Sequence, residues 1–191
     1  MYACLNPGVR YVQGMNELLA PIYYVFATCE NPEHRQGEGG LFAREHSEAD
    51  AFWCFCSLMA HMRDNFCVSL DNSLTGVRGN LQRLELLLQA HDARLHHHLI
   101  DTLGLVPQMF ALRWVTVLFS QEFHLPDVLT LWDAILSTRD PLDFSLHVCL
   151  AMLDLVKAAL VVAGVWRVAC CLRRVTCVWL FTCDACVFFG V

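Results

Sequence analysis

One glutamine, Gln13, is the residue in this sequence best suited to chemistry on a phosphate. It lies in the stretch Tyr-Val-Gln-Gly-Met-Asn, residues 11–16, directly ahead of an apolar helical run. A glutamine amide offers two donors and one acceptor on a neutral group, so it can orient a water molecule for attack on a phosphate. Gly14 lets the backbone come close to a partner. The same pattern also allows a buried, hydrogen-bonded glutamine at the start of a helix.

The elements that must position this stretch are helices. Residues 15–29 have an apolar face, and residues 47–62 repeat Phe and Met at helical spacing, which predicts a core-facing helix. Ser47 and Asp50 resemble a capping box with Asp in place of the usual Glu. Further helices are predicted over residues 74–89, after the cap Asp92, from Pro107, after Leu125, and from Asp140. No strand alternation competes with them, so the predicted fold class is all-α.

Composition limits the classes of function. The 191 residues amount to one domain, and a 56% hydrophobic share provides ample material for a core. A net charge of −6 argues against a nucleic-acid binder, which would carry a basic stripe. The first residues do not have the pattern of a secretory signal, so we expect a cytosolic chain whose eleven cysteines are reduced thiols.

Candidate metal ligands and nucleophiles are plentiful but poorly placed. Side chains of the His triplet at residues 96–98 point about 100° apart on a helix and cannot converge on one ion. Cys54 and Cys56 diverge for the same reason, and Cys183-x-x-Cys186 lacks a second pair. We therefore predict no metal site. No Ser-His-Asp or Cys-His arrangement and no phosphate-binding Gly-x-x-x-x-Gly-Lys loop is present, so we predict no cofactor and no GTP site in the chain itself.

A second region, residues 110–133, contains an Arg-Trp, a Glu-Phe and a Trp-Asp pair in that order. Trp114 and Trp132 are large apolar anchors with one N–H each to satisfy. Arg113 and Asp133 are plausible partners in a buried polar network. From spacing alone this region predicts only a helical core.

Taken together, residues 11–16 and these three pairs resemble the two signature regions of the TBC-domain proteins, which activate the GTPase reaction of Rab proteins. The resemblance covers roughly residues 5–160, and the sequence around Gln13 and Arg113 is most similar to the subgroup called member thirteen. It implies the C-terminal portion of a multi-helix, all-α TBC domain that docks on a membrane-recruited Rab. Gln13 would be a glutamine finger that replaces the GTPase's own water-positioning glutamine.

The resemblance also assigns roles to the remaining motif residues. It implies GTPase contacts for Tyr11, Gly14, Met15 and Asn16, and a structural role for Arg113, Trp114, Trp132 and Asp133. GTP and Mg²⁺ belong to the Rab partner. The implied protein is a regulator rather than an enzyme with its own substrate pocket, cytoplasmic and peripheral to endomembranes.

The chain departs from the family ahead of the glutamine motif. In the family an Ile-x-x-Asp-x-x-Arg motif lies upstream and supplies an arginine finger, worth about 10³–10⁵ in rate. Here ten residues precede Tyr11, they contain no such motif, and Arg10 does not match its position. The sequence therefore predicts an N-terminally truncated form with crippled activity. The alternative function is a catalytically silent Rab-binding or scaffold module.

The sequence changes character after residue 160. Residues 161–191 form a Cys-, Val- and Phe-rich tail that does not resemble the family. We predict two parts: a partial TBC domain (1–160) and a non-native or disordered tail (161–191). The charged residues Arg167, Arg173, Arg174 and Asp184 cut the tail into pieces shorter than the roughly 20 apolar residues of a membrane span. A third, membrane-associated function would rest on weak contact through this tail. Helix faces without their family partners also predict marginal stability or self-association.

Overall fold

In a computed structural model of the chain, every regular element is helical across residues 1–6, 8–9, 11–28, 44–66 and 76–162, the residues that the structure describes. The α-helices are α1 Tyr2–Leu5, α2 Met15–Thr28, α3 Ser47–Met62, α4 Val77–His91, α5 Ala93–His96, α6 Pro107–Phe110, α7 Leu112–Thr116, α8 Leu125–Leu136 and α9 Pro141–Val162. Short 3₁₀ turns at Arg44–His46 and Arg63–Phe66 and a π-helical segment at His97–Thr102 complete the set. The all-α prediction is confirmed.

Two regions fall mainly outside this description. Residues 29–43, between α2 and the 3₁₀ turn Arg44–His46, are not among the described residues. The tail is described only as far as Val162, where α9 ends, so the predictions for residues 163–191 are not tested. In the part of the chain that is described, no helix is both long enough and apolar enough to cross a membrane.

The chain divides into two compact units, and the first comprises Met1–Asn80 and Arg113–Ser145. In this unit α2 packs against α3. Phe55, Met59 and Met62 are buried, which confirms the predicted core face of α3. Helical spacing was sufficient here because the apolar residues recur every three or four positions and share one face.

The predicted capping box at Ser47 is wrong. Ser47 is already helical, it is buried, and its hydroxyl donates to the backbone carbonyl of Phe26 at 3.1 Å. The hydroxyl therefore joins α3 to α2 instead of capping its own helix. A serine hydroxyl can satisfy either type of partner, and here the tertiary one prevails.

The second unit comprises Leu81–Leu112 and Leu146–Val191. Its apolar core is formed by Leu81, Leu84, Leu88, Leu95, Leu99, Cys149, Leu153, Val156 and Leu160. Three polar contacts join the α4–α5 region to α9 around this core. His91 Nε2 lies 2.7 Å from Asp154 Oδ2, His98 Nε2 lies 3.2 Å from the Leu160 carbonyl, and the Lys157 ammonium donates to Asp92.

Two helix caps follow the sequence predictions. The Asp92 carboxylate accepts from the N–H groups of Arg94 and Leu95 at 3.1 and 3.0 Å and so caps α5. Asp140 accepts from the Asp143 N–H at 3.0 Å at the start of α9. Both carboxylates satisfy N–H groups that have no partner inside the helix.

Several large apolar side chains of the first unit are exposed. Tyr23, Tyr24 and Val25 on α2 and Trp53 on α3 are the main examples, and Trp53 is 69% exposed. Each of these side chains is partly exposed, and Trp53 retains an edge-on ring contact with Phe52. The predicted marginal stability or self-association stays a prediction.

The Asp92–Lys157 contact makes the stability of the second unit pH-dependent. The hydrogen bond from Lys157, with support from the Leu95 and Arg94 amides, lowers the pKa of Asp92. Because the folded pKa is the lower one, this stabilisation is present above the unfolded pKa of about 3.9 and is lost as pH falls through the folded value.

We predict that Asp92→Asn lowers the free energy of unfolding at neutral pH, because the amide keeps the cap but loses the charge facing Lys157. Asp92→Ala should cost about 1 kcal/mol more through the lost cap. Denaturant unfolding over a pH series measures both. The gap between wild type and Asp92→Asn should close below about pH 4, and a gap that stays constant with pH contradicts the prediction.

Candidate functional site

The glutamine loop, residues 11–16, turns tightly into α2. The Met15 N–H donates to the Val12 carbonyl at 3.2 Å, and the Gly14 carbonyl accepts from the Glu17 and Leu18 N–H groups at 3.0 and 3.2 Å. Gly14 has φ +110°, a conformation that side-chain-bearing residues rarely adopt. Glycine is therefore required where the chain turns from Gln13 into the helix.

Asn16 ties the loop together on both sides of Gln13. Its Oδ1 accepts from the Gly14 N–H at 3.3 Å and from the Tyr11 hydroxyl at 3.2 Å. Its Nδ2 donates to Glu17 Oε1 at 2.9 Å. One amide side chain thus holds the residues before and after the glutamine in a closed arrangement.

Gln13 lies at the exposed tip of this loop. Among the described residues its side chain has no hydrogen-bond partner, so both amide donors and the acceptor are available to a molecule that docks here. The alternative that the sequence left open, a buried and hydrogen-bonded glutamine, does not match the structure. The exposed position is the one that an inserted, water-orienting amide requires.

The other four motif residues separate into two groups. Tyr11 is 64% exposed, and Asn16 is also exposed, so both can reach a docked partner. Gly14 and Met15 are buried, and they contribute to the shape of the loop. The GTPase contacts implied for these four residues stay predictions.

The second signature region contains a salt bridge that the sequence did not predict. Arg113 Nε donates to Glu122 Oε1 at 2.5 Å, and Glu122 is fully buried while the Arg113 side chain is 44% exposed. The predicted pairing of Arg113 with Asp133 is therefore wrong. Asp133 follows the buried Trp132 on α8, and a step of about 100° along the helix turns it toward solvent.

Sequence reasoning included Glu122 in the Glu-Phe pair but missed its salt bridge with Arg113. Its signal was a single carboxylate in an otherwise apolar or neutral stretch, residues 117–123. A charged residue in such a stretch is rarely buried without a partner. The nearest cation in the sequence before it is Arg113, nine positions upstream.

Trp132 anchors the turn of residues 117–122, which we call the anchored turn. Its Nε1 donates to the Leu118 carbonyl at 2.7 Å in a buried hydrogen bond. Leu118 and the next residue, Phe119, have φ of +45° and +62° and are buried. Trp114 is fully buried as well, so both tryptophans are core anchors as predicted.

The histidine triplet diverges as expected. His96 faces Glu85 at 3.8 Å, His97 faces Asp101 at 2.8 Å, and His98 faces the Leu160 carbonyl. Across the described ranges, no three His, Cys, Asp or Glu side chains are grouped to hold a metal ion. The Cys183-x-x-Cys186 pair lies outside those ranges.

Three of the described cysteines, Cys54, Cys56 and Cys149, are not activated nucleophiles. Burial raises the pKa of Cys54, Cys56 and Cys149, most strongly for Cys149, which is completely buried. A raised pKa keeps each group as a thiol at neutral pH, whereas nucleophilic attack requires the thiolate.

Comparison with known proteins assigns this arrangement to a family. The model of the Rab-GTPase-TBC domain matches residues 1–161. TBC1 domain family member 13 of Homo sapiens and that of Mus musculus are each 46% identical over 160 residues, or 84% of this chain and 38% of the relative. TBC1 domain family member 17 of Homo sapiens is 34% identical over 163 residues, or 85% of this chain and 22% of the relative.

A solved structure supports the same family assignment. The Ypt/Rab-GAP domain of Gyp1p matches with a TM-score of 0.77 at 26% identity, over 91% of this chain and 55% of that chain. The chain belongs to the Rab-GTPase-TBC domain family, and the member-thirteen subgroup indicated by the sequence is among its similar relatives. It spans 38% or less of the length of the curated relatives named here.

We predict that Arg113→Met destabilises the first unit by about 3 kcal/mol, because it leaves the Glu122 carboxylate buried without its cation. In a Glu122→Gln background the same Arg113→Met change should cost much less, since a neutral amide needs no counter-ion. Chemical denaturation of the four proteins completes the double-mutant cycle. Equal costs of Arg113→Met in both backgrounds would show that the salt bridge does not determine stability.

Proposed function

We propose that this chain is a GTPase-activating module for a Rab protein and that Gln13 enters the partner's nucleotide site. The observation that carries the proposal is the exposure of Gln13 on its loop. The rest of that loop is held by the hydrogen bonds of Asn16 and by the turn at Gly14. Family membership supports the partner class. The Rab supplies GTP and Mg²⁺, and this chain supplies one side chain.

The chemistry required of Gln13 is orientation. Phosphoryl transfer proceeds with the attacking and leaving oxygens roughly in line, and positioning with electrostatic stabilisation provides most of the acceleration. The Gln13 carbonyl oxygen would accept a hydrogen bond from the attacking water. Its NH₂ group would donate to an acceptor on the Rab or its nucleotide, which fixes the orientation of the amide.

The loop suits this task because its backbone is already ordered. Fixing the backbone of one residue costs about 1–2 kcal/mol at 25 °C. The hydrogen bonds of Asn16 to Gly14 and Tyr11 order the loop backbone when the chain folds, so this entropy is lost before any Rab binds. Only the Gln13 side chain then has to lose its rotamer freedom in the complex.

A second candidate function is Rab binding without acceleration, and the exposed side chains of Tyr11 and Asn16 beside Gln13 suit it. Under this alternative the same loop docks on the Rab as a scaffold surface. In both cases we propose action at the cytoplasmic face of endomembranes, with membrane contact through the Rab and at most weakly through the tail.

We predict that the chain accelerates single-turnover GTP hydrolysis by at least one Rab and that Gln13→Ala lowers the accelerated rate constant about 100-fold. A panel of purified Rabs loaded with GTP measures the rate, and titration with each Rab measures binding. Gln89→Ala is the matched control, because Gln89 is another exposed glutamine, on α4. It should leave the rate unchanged.

The outcomes separate the candidates. Binding of a GTP-loaded Rab without acceleration supports the scaffold function. Acceleration that survives Gln13→Ala shows that another group orients the water. A folded chain that neither binds nor accelerates any Rab rules out both functions.

A further inference from the structure

We propose that Val117 is a positioning residue for the glutamine finger, an inference that rests on the function proposed above. The observation is a close approach between two regions that the sequence separates by about a hundred positions. A Cβ atom placed on Gly14 would lie 3.0 Å from Val117 Cγ1. Since Gly14 directly follows Gln13, the backbone of the finger rests against the Val117 side chain.

The contact is tight enough to define a position. Real Cβ atoms rarely approach a neighbour within 3.4 Å, so a side chain on Gly14 would require the Val117 side chain to shift. Val117 itself is 4% exposed. Its methyl group therefore fills the space that a side chain on Gly14 would otherwise occupy, and close packing of this kind transmits small displacements.

Val117 is in turn held by the anchored turn. Its N–H donates to the Arg113 carbonyl at 3.0 Å, as the last helical hydrogen bond of α7. The next carbonyl, that of Leu118, accepts from the Trp132 indole, and Arg113 is joined to Glu122 at the end of the turn. The backbone of Val117 is thus held on its N-terminal side by the bond to Arg113 and on its C-terminal side by the bond between Leu118 and Trp132.

The two left-handed residues indicate that this turn is held against a local preference. Leu118 and Phe119 have positive φ without being glycine, a strained conformation that persists only where the surroundings impose it. The surroundings are the indole hydrogen bond and the buried salt bridge. The anchored turn thereby gains a role in the proposed chemistry: through Val117 it supports the backbone that carries Gln13.

Positioning affects the rate more than the affinity. If Val117→Ala removes the support, the loop gains freedom and the Gln13 amide moves relative to the attacking water. A displacement near 1 Å at a reacting centre can cost about 100-fold in rate. Rab binding depends on the wider surface, so the dissociation constant should stay unchanged.

The test compares Val117→Ala with Val128→Ala. Val128, on α8 in the same unit, is 1% exposed, so both changes remove two buried methyl groups. We expect Val117→Ala to lower the maximal single-turnover rate constant about 10- to 100-fold without weakening Rab binding. Val128→Ala should destabilise the chain comparably and leave that rate constant unchanged, and Val117→Ile, which keeps both γ-carbons, should retain most of the rate.

A cycle with Gln13→Ala identifies the route of the effect. If Val117 acts through the glutamine, Val117→Ala has no further effect on the rate once Gln13 is alanine. Amide hydrogen exchange gives a readout that needs no Rab: exchange of the Gly14 N–H should accelerate in Val117→Ala and not in Val128→Ala.

The inference is overturned if Val117→Ala and Val128→Ala match in both rate and Gly14 exchange, or if Val117→Ala lowers the rate equally with and without Gln13. Failure of the proposed function looks different, because Gln13→Ala then leaves the rate unchanged. If Gln13→Ala lowers the rate as expected, but Val117→Ala and Val128→Ala have the same rate and the same Gly14 exchange, only the positioning role of Val117 is contradicted. The proposed function of Gln13 then stands.

Discussion

The buried hydrogen bond from the Trp132 indole to the Leu118 carbonyl is the interaction on which the site depends. It holds a turn in which two bulky residues, Leu118 and Phe119, adopt left-handed backbone conformations. Each such residue costs on the order of 1–3 kcal/mol. An unsatisfied buried carbonyl would add a similar penalty, so the indole removes one cost and offsets part of another. By holding this turn, the hydrogen bond helps to fix the position of Val117, whose side chain packs against Gly14.

The helical framework was largely predictable because its signals are local. Recurrence of apolar residues every three or four positions correctly placed Phe55, Met59 and Met62 in the core, and carboxylates at helix starts correctly identified Asp92 and Asp140 as caps. Ser47 shows where local reasoning ends. Its hydroxyl had two possible partners, and only the packing of α3 on α2 determined that the Phe26 carbonyl would be the one.

Sequence reasoning singled out Gln13 but not the residues that support its loop. The residue types of the glutamine motif pointed to Gln13, and its exposure agrees with that expectation. The pairing of Arg113 with Asp133 was wrong, because the true partner Glu122 is brought back to Arg113 by the anchored turn. Positive φ at Leu118 and Phe119 has no sequence signal, since glycine and asparagine are the residues that normally mark it. The contact between Gly14 and Val117 depends on that turn and was equally hidden.

This arrangement divides the two signature regions by physical task. The buried residues, Gly14, Met15, Trp114 and Trp132, fix a backbone geometry, and the exposed Gln13 is the group left to meet a partner. A long polar side chain loses up to about 2 kcal/mol of rotamer entropy when it is immobilised. Because the loop backbone is ordered on folding, that side-chain term is the main conformational cost left for the complex. Under the proposed function, the packing of Val117 against Gly14 lowers the cost of placing one amide beside a phosphate, which is why a substitution at Val117 should alter rate as well as stability.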